Sequence, residues 1–287
     1  MARFSSFVFC IRKYGAIVLD QLLQTDLVSV KGVVSKKDDF EFEPNCEEIC
    51  AKYKVPIIFV NAWNESLIKD IKSAAVDIIL CAWFHLKIPK DIFQSPLIGA
   101  VNFHPSLLPK YRGPSPVEWA LVHGEQETGL SAHIIEEKFD SGPVISQIAV
   151  PIDHFDDADS LSIKLAKKGG ALLKNVRNKI TNNAIISTPQ DANKATHFPL
   201  RTEKNAFIDP KEMTALEIYN KIRGFYPYPC CRLNISGKQI IAQRAEIMND
   251  KYLPDFIPVD GVIKNKYCVV FTRDNKFVKI TNFRFSD

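Results

Sequence analysis

The sequence lacks long hydrophobic runs, although 46% of its 287 residues are apolar. Its longest apolar stretches, such as the one around Val76–Phe84, are far shorter than the roughly 20 residues that a membrane-spanning helix needs. The amino terminus has only a short apolar run before Arg12 and Lys13. This run predicts a first β-strand, because a secretory signal peptide has a longer apolar region and a small-residue cleavage site. We therefore expect a soluble, cytoplasmic protein with no membrane partner.

The sequence also lacks a metal-ligand pattern, a concentrated basic stripe, internal repeats and low-complexity tracts. Its seven cysteines are scattered, and neither Cys46 with Cys50 nor Cys230 with Cys231 is completed by a histidine or a second cysteine pair. Such cysteines are typical of reduced, buried thiols, so no metal is expected. The net charge of +4 favours an anionic partner but does not by itself indicate a nucleic-acid surface.

The first half of the chain alternates β-rich runs with helical patterns. Strands are predicted at Ser6–Cys10, Val28–Val34, Ile57–Val60, Asp77–Ala82 and Ala100–Phe103, and helices at Ala16–Gln24, Cys46–Tyr53 and Ser66–Ala74. Parallel strands need crossover connections, which helices usually supply. The alternation therefore predicts an α/β fold, a Rossmann-like parallel sheet with helices on both faces.

In the second half of the chain the regular alternation of strands and helices ends. Strands at Ser131–Glu136 and Val144–Val150 precede one long helix at Ser160–Asn178, a linker at Asn182–Arg201 and a helix at Thr214–Arg223. Short strands then alternate with the turn signals Ser236-Gly237, Asn249-Asp250, Asp260-Gly261 and Asp274-Asn275. This pattern predicts a catalytic α/β domain over residues 1–190, followed by a small, mainly β, OB-like domain over residues 201–287.

The segment Gly99–Gly142 carries the polar residues on which a functional hypothesis depends. Asn102 and His104 lie two residues apart at the end of an apolar strand, so their side chains point to one face. Open α/β sheets bind ligands where parallel strands end, and Asp140 follows a later strand in a loop. An Asn can donate to a tetrahedral oxyanion, a His can move protons, and an Asp can orient the imidazole. These residue types suit acyl transfer to an amine, although a histidine at a strand end is more often structural and an Asp before Ser-Gly is usually a turn former.

Longer motifs resemble a known family. FHPSLLPKYRGPSPVEWAL from Phe103, TGL from Thr128 and FDSGPVI from Phe139 closely resemble the N10-formyltetrahydrofolate-dependent formyltransferases. That family includes methionyl-tRNA formyltransferase, the sugar-amine formyltransferases and the formyl-folate hydrolase domain. The family's Asn-x-His matches Asn102 and His104, its Asp-x-Gly matches Asp140 and Gly142, and ALEIYNKIRGFYPYP from Ala215 resembles the start of its C-terminal domain. The resemblance implies formyl transfer from N10-formyltetrahydrofolate to a primary amine, with Asn102, His104 and Asp140 as catalytic residues.

The resemblance also implies where the donor binds. The family's folate pocket lies beside the strand end that precedes Asn-x-His, here Cys81–Ile88. Trp83, Phe84 and Leu86 are expected to flank the pterin, with groups from Glu136 to Asp140 reading its hydrogen-bonding edge. Ordinary core packing of Trp83 and Phe84 is the alternative.

Four residues are candidates for binding the acceptor. Ser106 and Arg112 lie in the SLLPKYRG loop, and Arg12 and Lys13 follow the first strand, where they can meet a pyrophosphate. A structural ion pair of Arg112 and a solvated Arg12–Lys13 pair are the alternatives.

The identity of the amine is less constrained. Methionyl-tRNA formyltransferases carry a basic insertion after the second strand, whereas Ser35–Glu48 here is short and acidic, and their N-terminal Gly-Thr-Pro signature is absent. These departures favour a nucleotide-linked amino sugar, with the C-terminal domain as a lid or an oligomer contact, for example in a homodimer. A full-length C-terminal domain, which the tRNA enzyme shares, favours initiator tRNA as the acceptor. A formyltetrahydrofolate hydrolase, in which water replaces the amine, is the alternative of another class.

Overall fold

The computed structural model describes residues 3–37, 43–248, 261–264 and 266–286. The described chain forms two compact units. The first contains residues 1–114, 128–150 and 162–197, and the second contains residues 115–127, 151–161 and 198–287. The second unit thus includes residues 115–127 and 151–161, which lie within the predicted catalytic domain of residues 1–190.

The first unit is built on a seven-stranded sheet in the order β3-β2-β1-β4-β5-β6-β7. The first five strands pair in parallel and β6 is antiparallel to β5. The Rossmann-like fold predicted from the sequence is confirmed. The strands are β1 (Phe4–Cys10), β2 (Val28–Ser35), β3 (Ile57–Phe59), β4 (Ile78–Ala82), β5 (Gly99–His104), β6 (Glu127–Ile134) and β7 (Val144–Pro151).

Helices connect these strands and cover both faces of the sheet. Phe7 and Phe9 of β1 join an apolar cluster with Ile71 and Ile92 from two of the helices, whereas Val8, which points to the opposite face, is also fully buried. A parallel sheet buried on both faces has such continuously apolar strands. The helices of this unit are α1 (Arg12–Leu23), α2 (Cys46–Tyr53), α3 (Glu65–Ser73), α4 (Lys90–Phe93) and α7 (Gly169–Asn178). Helix α5 (Pro116–Val122) belongs to the second unit, and α6 (Ala158–Ala166) has residues in both.

The prediction of one long helix over Ser160–Asn178 was wrong, since α6 and α7 are separate helices. Helix α7 begins at Gly169, where an added Cβ would lie 3.0 Å from a methyl carbon of Val18. At Gly170 an added Cβ would lie 3.1 Å from the carbonyl oxygen of Gln21. The two glycines therefore let α7 start close against α1, and residues 167 and 168 separate it from α6.

The predicted linker contains some regular structure. A hairpin of β8 (Ile180–Thr181) and β9 (Ala184–Ile185) turns at Asn182 and Asn183, both with positive φ. Short 3-10 helices follow at Ala192–Lys194 and Glu203–Asn205.

The second unit contains a five-stranded antiparallel sheet in the order β10-β11-β14-β13-β12, with α8 packed against it. Helix α8 begins after Thr214, which forms a capping box with Glu217. The small C-terminal β domain predicted from the sequence is confirmed. Of its predicted turns, Asn249-Asp250 and Asp260 lie outside the described residues. The elements are α8 (Ala215–Phe225), β10 (Cys231–Ile235), β11 (Lys238–Ile247), β12 (Val262–Lys264), β13 (Tyr267–Phe271) and β14 (Phe277–Phe285).

Candidate active site

Asn102 and His104 lie on the last residues of β5, as the sequence predicts. This strand pairs with β4 on one side, where Cys81 is opposite Asn102. On its other side β6 runs antiparallel, and His133 is opposite Asn102. The two side chains meet above the sheet, with Asn102 Nδ2 3.1 Å from His133 Nε2.

His104 is 4% exposed and is held between two oxygen atoms. Its Nε2 lies 2.8 Å from the carbonyl oxygen of Tyr111, so this nitrogen carries the proton of the neutral ring. Its Nδ1 lies 3.3 Å from Asp140 Oδ1. Burial lowers the pKa of His104, and the opposing effects of Asp140 and the Tyr111 carbonyl do not cancel it. A neutral ring with its unprotonated Nδ1 directed at a carboxylate can act as a base, because the imidazolium that forms has an anion beside it.

Asp140 occupies a left-handed backbone conformation, with φ of 55°, in the loop after β6. One carboxylate oxygen accepts a hydrogen bond of 2.9 Å from the backbone N–H of Gly113, while Oδ1 faces His104 and His133 at 3.3 and 3.7 Å. Burial alone would raise the pKa of Asp140. The positive charge that His104 and His133 carry when protonated, together with the Gly113 N–H, outweighs burial and holds that pKa well below its usual range.

Steric crowding explains why the Asp-x-Gly motif ends in glycine, at Gly142. An added Cβ at Gly142 would lie 2.0 Å from the carbonyl oxygen of Ile134. Only glycine permits this approach, which folds the loop back so that Asp140 reaches His104.

Two of the residues predicted to bind the acceptor are engaged within the protein. Ser106 is fully buried, and its hydroxyl donates to the carbonyl oxygen of Lys110 at 2.8 Å. Arg112 donates from Nε and Nη2 to the side-chain oxygen of Gln190, at 3.0 and 2.6 Å. Both side chains therefore shape the SLLPKYRG loop, and Arg112 bonds to an amide rather than to the acidic partner of the anticipated ion pair.

Gln190 lies in the 188–197 segment, which is part of the predicted linker at Asn182–Arg201. Its amide nitrogen donates to the carbonyl oxygens of Asp140 and Gly142, at 2.9 and 2.7 Å. In the same segment, the backbone carbonyl of Thr196 accepts from the N–H of Arg112 at 2.9 Å. One side chain thus connects the loop that carries Arg112 to the loop that carries Asp140.

The residues predicted to surround the pterin divide into two groups. Phe84 and Leu86 pack against the apolar cluster that contains Phe93 and Ala100. Phe93, Ala100 and Glu136 in turn line a cavity of about 660 Å³ beside the start of β5 and the end of β6. This volume is typical of a small-molecule pocket.

Trp83 belongs to a different neighbourhood. Its ring lies 6.1 Å from that of Tyr14, in the first turn of α1, and Lys13 Nζ lies 5.9 Å from the Tyr14 ring centroid. Arg12 is exposed at the start of the same helix. The structure therefore brings Trp83 together with Arg12 and Lys13, at the carboxyl ends of β4 and β1.

Sequence reasoning missed His133 and Gln190. His133 lies in an apolar run with no motif around it, and only the antiparallel register of β6 places it opposite Asn102. Gln190 is flanked by Pro189 and Asp191, neighbours that are typical of a loop.

The remaining chemical features are few. All seven cysteines are buried and reduced. Within the described ranges, no group of three His, Cys, Asp or Glu side chains is arranged to hold a metal, and no helix is long and apolar enough to cross a membrane.

The fold and the site define an α/β protein with an acid–base group, Asn102, His104 and Asp140, at the carboxyl edge of a largely parallel sheet. Residues 7–176 match the family described as Formyl transferase, and residues 201–286 match the Formyl transferase C-terminal domain. The chain belongs to the formyl transferase family.

Relatives in sequence are methionyl-tRNA formyltransferases. That of Caldanaerobacter subterraneus subsp. tengcongensis is 33% identical over 64% of this chain and 60% of its own length. That of Thermodesulfovibrio yellowstonii is 32% identical over 68% of this chain and 62% of its own length. The matched region thus spans less than two thirds of each of these relatives.

Solved structures with the same fold include two sugar-related enzymes. The sugar 3N-formyltransferase WlaRD, crystallised with dTDP and 5-N-formyl-THF, matches with a TM-score of 0.71 and 18% identity over 98% of both chains. The N-formyltransferase of Helicobacter canadensis, in complex with folinic acid and dTDP-3-aminofucose, matches with a TM-score of 0.71 and 19% identity over 98% of this chain and 99% of its own.

Proposed function

We propose that this protein transfers the formyl group of N10-formyltetrahydrofolate to the primary amine of a nucleotide-linked amino sugar. The observation that carries the chemical part is the convergence of Asn102, His104 and Asp140, with His104 Nδ1 3.3 Å from Asp140 Oδ1, in a chain of the formyl transferase family.

The reaction requires no covalent intermediate with the protein. The amine nitrogen attacks the formyl carbon, and the carbonyl electron pair moves onto oxygen. Asn102 has two amide N–H groups; one faces His133 and the second donates to the oxyanion. One such donor typically contributes about 10²–10³-fold to kcat.

His104 moves the proton. Its Nδ1 takes the proton that the attacking amine loses, and Asp140 stabilises the imidazolium that results. The imidazolium then protonates N10 of the folate as the carbon–N10 bond breaks, which releases the formamide and tetrahydrofolate. Proton transfer of this kind is worth about 10²–10⁴-fold.

For the donor, we propose that the pterin occupies the cavity lined by Phe93, Ala100 and Glu136. Phe84 and Leu86 do not line this cavity, but they pack on the apolar cluster to which Phe93 and Ala100 also belong. We expect backbone groups of the Glu136–Asp140 loop to bond to the pterin edge, since Glu136 and Glu137 line the cavity. The same loop carries Asp140.

For the acceptor, the support comes from the start of α1. This helix has no side-chain cap and no acidic residue in its first turn, so its positive N-terminal end adds to the charges of Arg12 and Lys13 and favours a pyrophosphate. Trp83 and Tyr14 form an aromatic pair beside them, suited to a nucleotide base. The site lies at the carboxyl end of β1, where the strand order reverses and α/β sheets bind nucleotides.

Methionyl-tRNA is the second candidate acceptor, because the sequence relatives of 32–33% identity carry that name. The two sugar-related structures match over at least 98% of both chains, and they contain dTDP or dTDP-3-aminofucose. This likeness favours the nucleotide-linked amino sugar as the acceptor.

The acceptor is tested by formyl transfer from N10-formyltetrahydrofolate to charged initiator tRNA and, separately, to nucleotide-linked 3-amino and 4-amino sugars. We expect transfer to a sugar, with the KM for that sugar raised in the Arg12→Gln and Lys13→Gln variants. Lys174→Gln, an exposed lysine of α7, is the matched control and should leave the KM unchanged. Efficient transfer to tRNA alone would overturn the acceptor assignment, and formate release that is independent of any amine would indicate a hydrolase.

A further inference from the structure

His133 and Asn102 form a buried pair that the reaction scheme above does not explain. They are directly opposite in the antiparallel register of β5 and β6, so both side chains rise from the same face. His133 is 3% exposed, and its Nε2 lies 3.1 Å from Asn102 Nδ2. A buried histidine beside the oxyanion donor has a direct means of influencing it.

The hydrogen bonds determine which atom of Asn102 faces the histidine. His133 Nδ1 lies 2.8 Å from the carbonyl oxygen of Ile134. A carbonyl can only accept, so Nδ1 carries the proton of the neutral ring. Asp140 Oδ1 lies 3.7 Å from Nε2, beyond hydrogen-bond distance, so Nε2 is left as an acceptor that faces Asn102. Only the NH₂ group of Asn102 can satisfy that acceptor, because the amide oxygen would place two lone pairs against each other.

We propose that His133 is a positioning residue, which fixes the Asn102 carboxamide with its NH₂ group in place to donate to the oxyanion. The chain of bonds runs from Asn102 Nδ2–H to His133 Nε2, and from His133 Nδ1–H to the Ile134 carbonyl. His133 thereby disfavours the orientation of the Asn102 carboxamide that is rotated by half a turn. In that orientation the amide oxygen would face the developing negative charge. The inference rests on the proposed formyl transfer, in which Asn102 acts on the transition state.

A matched pair of substitutions tests the bond separately from the volume of the ring. His133→Gln places an amide oxygen near the position of Nε2 and can still accept from Asn102, whereas His133→Asn is too short and retains only the reach of Nδ1. We expect His133→Asn to lower kcat by up to about 100-fold, the cost that a small misplacement of a positioned active-site group can have. The KM for the donor should change little, and His133→Gln should restore most of kcat.

A double-mutant cycle with Asn102→Ala distinguishes positioning from general structural damage. If His133 acts through Asn102, adding His133→Asn to Asn102→Ala lowers kcat by less than about twofold, because no amide remains to be positioned. Losses that multiply in the double variant would overturn the proposal, as would equal kcat losses in His133→Gln and His133→Asn.

The hydrogen-bond arrangement is also measurable without turnover or substitution. In the wild-type protein at neutral pH, the ¹⁵N chemical shifts of His133 should report a protonated Nδ1 and an unprotonated Nε2. A protonated Nε2 would overturn the positioning role even if every amine proved inactive as an acceptor. Failure of formyl transfer combined with the expected tautomer would instead count against the proposed function.

Discussion

At the scale of single residues, the site depends on the balance between burial and charge at His104. Burial lowers the pKa of this imidazole and Asp140 acts in the opposite direction. Asp140→Asn removes the negative charge but retains an oxygen that can accept from Gly113. The pKa of His104 should then fall further, so the acid limb of kcat/KM should move to lower pH. The maximal kcat should fall by about 10²–10⁴-fold, because the imidazolium loses its anion.

The measurement is kcat/KM for one acceptor from acidic to alkaline pH, so that titration of the amine is common to all variants. Asp191→Asn, an exposed carboxylate in the 188–197 segment, is the control and should retain the wild-type profile. An acid limb that moved upward in Asp140→Asn would contradict the assignment of His104 as the base.

The same two groups predict how folding stability depends on pH. The pKa values of Asp140 and His104 are both lowered in the folded protein, so the unfolded chain binds more protons at acid pH. Stability is complete above the unfolded pKa of His, about 6.5. Below about pH 6.5 the free energy of unfolding decreases, because His104 gains a proton in the unfolded chain more readily than in the fold. Below about pH 3.9 it decreases again, because the same holds for Asp140.

At the scale of structural elements, the 188–197 segment is a part of the site. Gln190 makes two hydrogen bonds to Arg112 and two to the carbonyl oxygens of the Asp140 loop. Gln190→Ala removes all four, and at about 0.5–1.5 kcal/mol net for each bond the free energy of unfolding should fall by about 2–6 kcal/mol. Since the Asp140 loop also loses its support, kcat should fall as well.

Denaturant unfolding and steady-state kinetics measure the two effects. Asp191→Ala, at the next residue, removes one exposed bond to the backbone of Asn193 and an exposed ion pair with Lys194, and should cost less than about 1 kcal/mol. A Gln190→Ala protein with wild-type stability and kcat would show that the segment is a passive linker.

At the scale of the whole molecule, donor binding should stabilise the folded chain by mass action. A folate at about 100 times its dissociation constant adds about 2.7 kcal/mol to the stability of the folded state. With 5-formyltetrahydrofolate, a stable mimic of the donor, the melting temperature of the unit that contains the site should rise. A chain with two units can melt in two transitions, and only the transition of the first unit should respond.

Two glutamates, one at each end of β6, test the position of the donor. Glu136→Ala changes the wall of the cavity and should reduce the rise in melting temperature, whereas Glu127→Ala, exposed at the start of β6, should not. The absence of any rise in the folded wild-type protein would remove the donor assignment.

The sequence by itself determined the α/β class, the small β domain and the positions of Asn102, His104 and Asp140. The reason is physical: strand and helix periodicities are local, and the motif residues lie at strand ends or in loops whose Pro and Gly content is visible in the chain. The break between α6 and α7 was not predicted, although Gly169 and Gly170 are visible in the sequence. Their closeness to Val18 and Gln21 of α1 is a contact between residues distant in the chain.

Only the tertiary structure decided the rest. A two-residue period does not encode strand direction, so the antiparallel pairing of β6, and with it the meeting of His133 and Asn102, could not be predicted. The bonds of Gln190 to loops about 50 to 80 residues away leave no local signal either. The chain supplied the reactive residue types in order, and long-range hydrogen bonds determined how they are oriented, because partners distant in sequence become neighbours only when the sheet has formed.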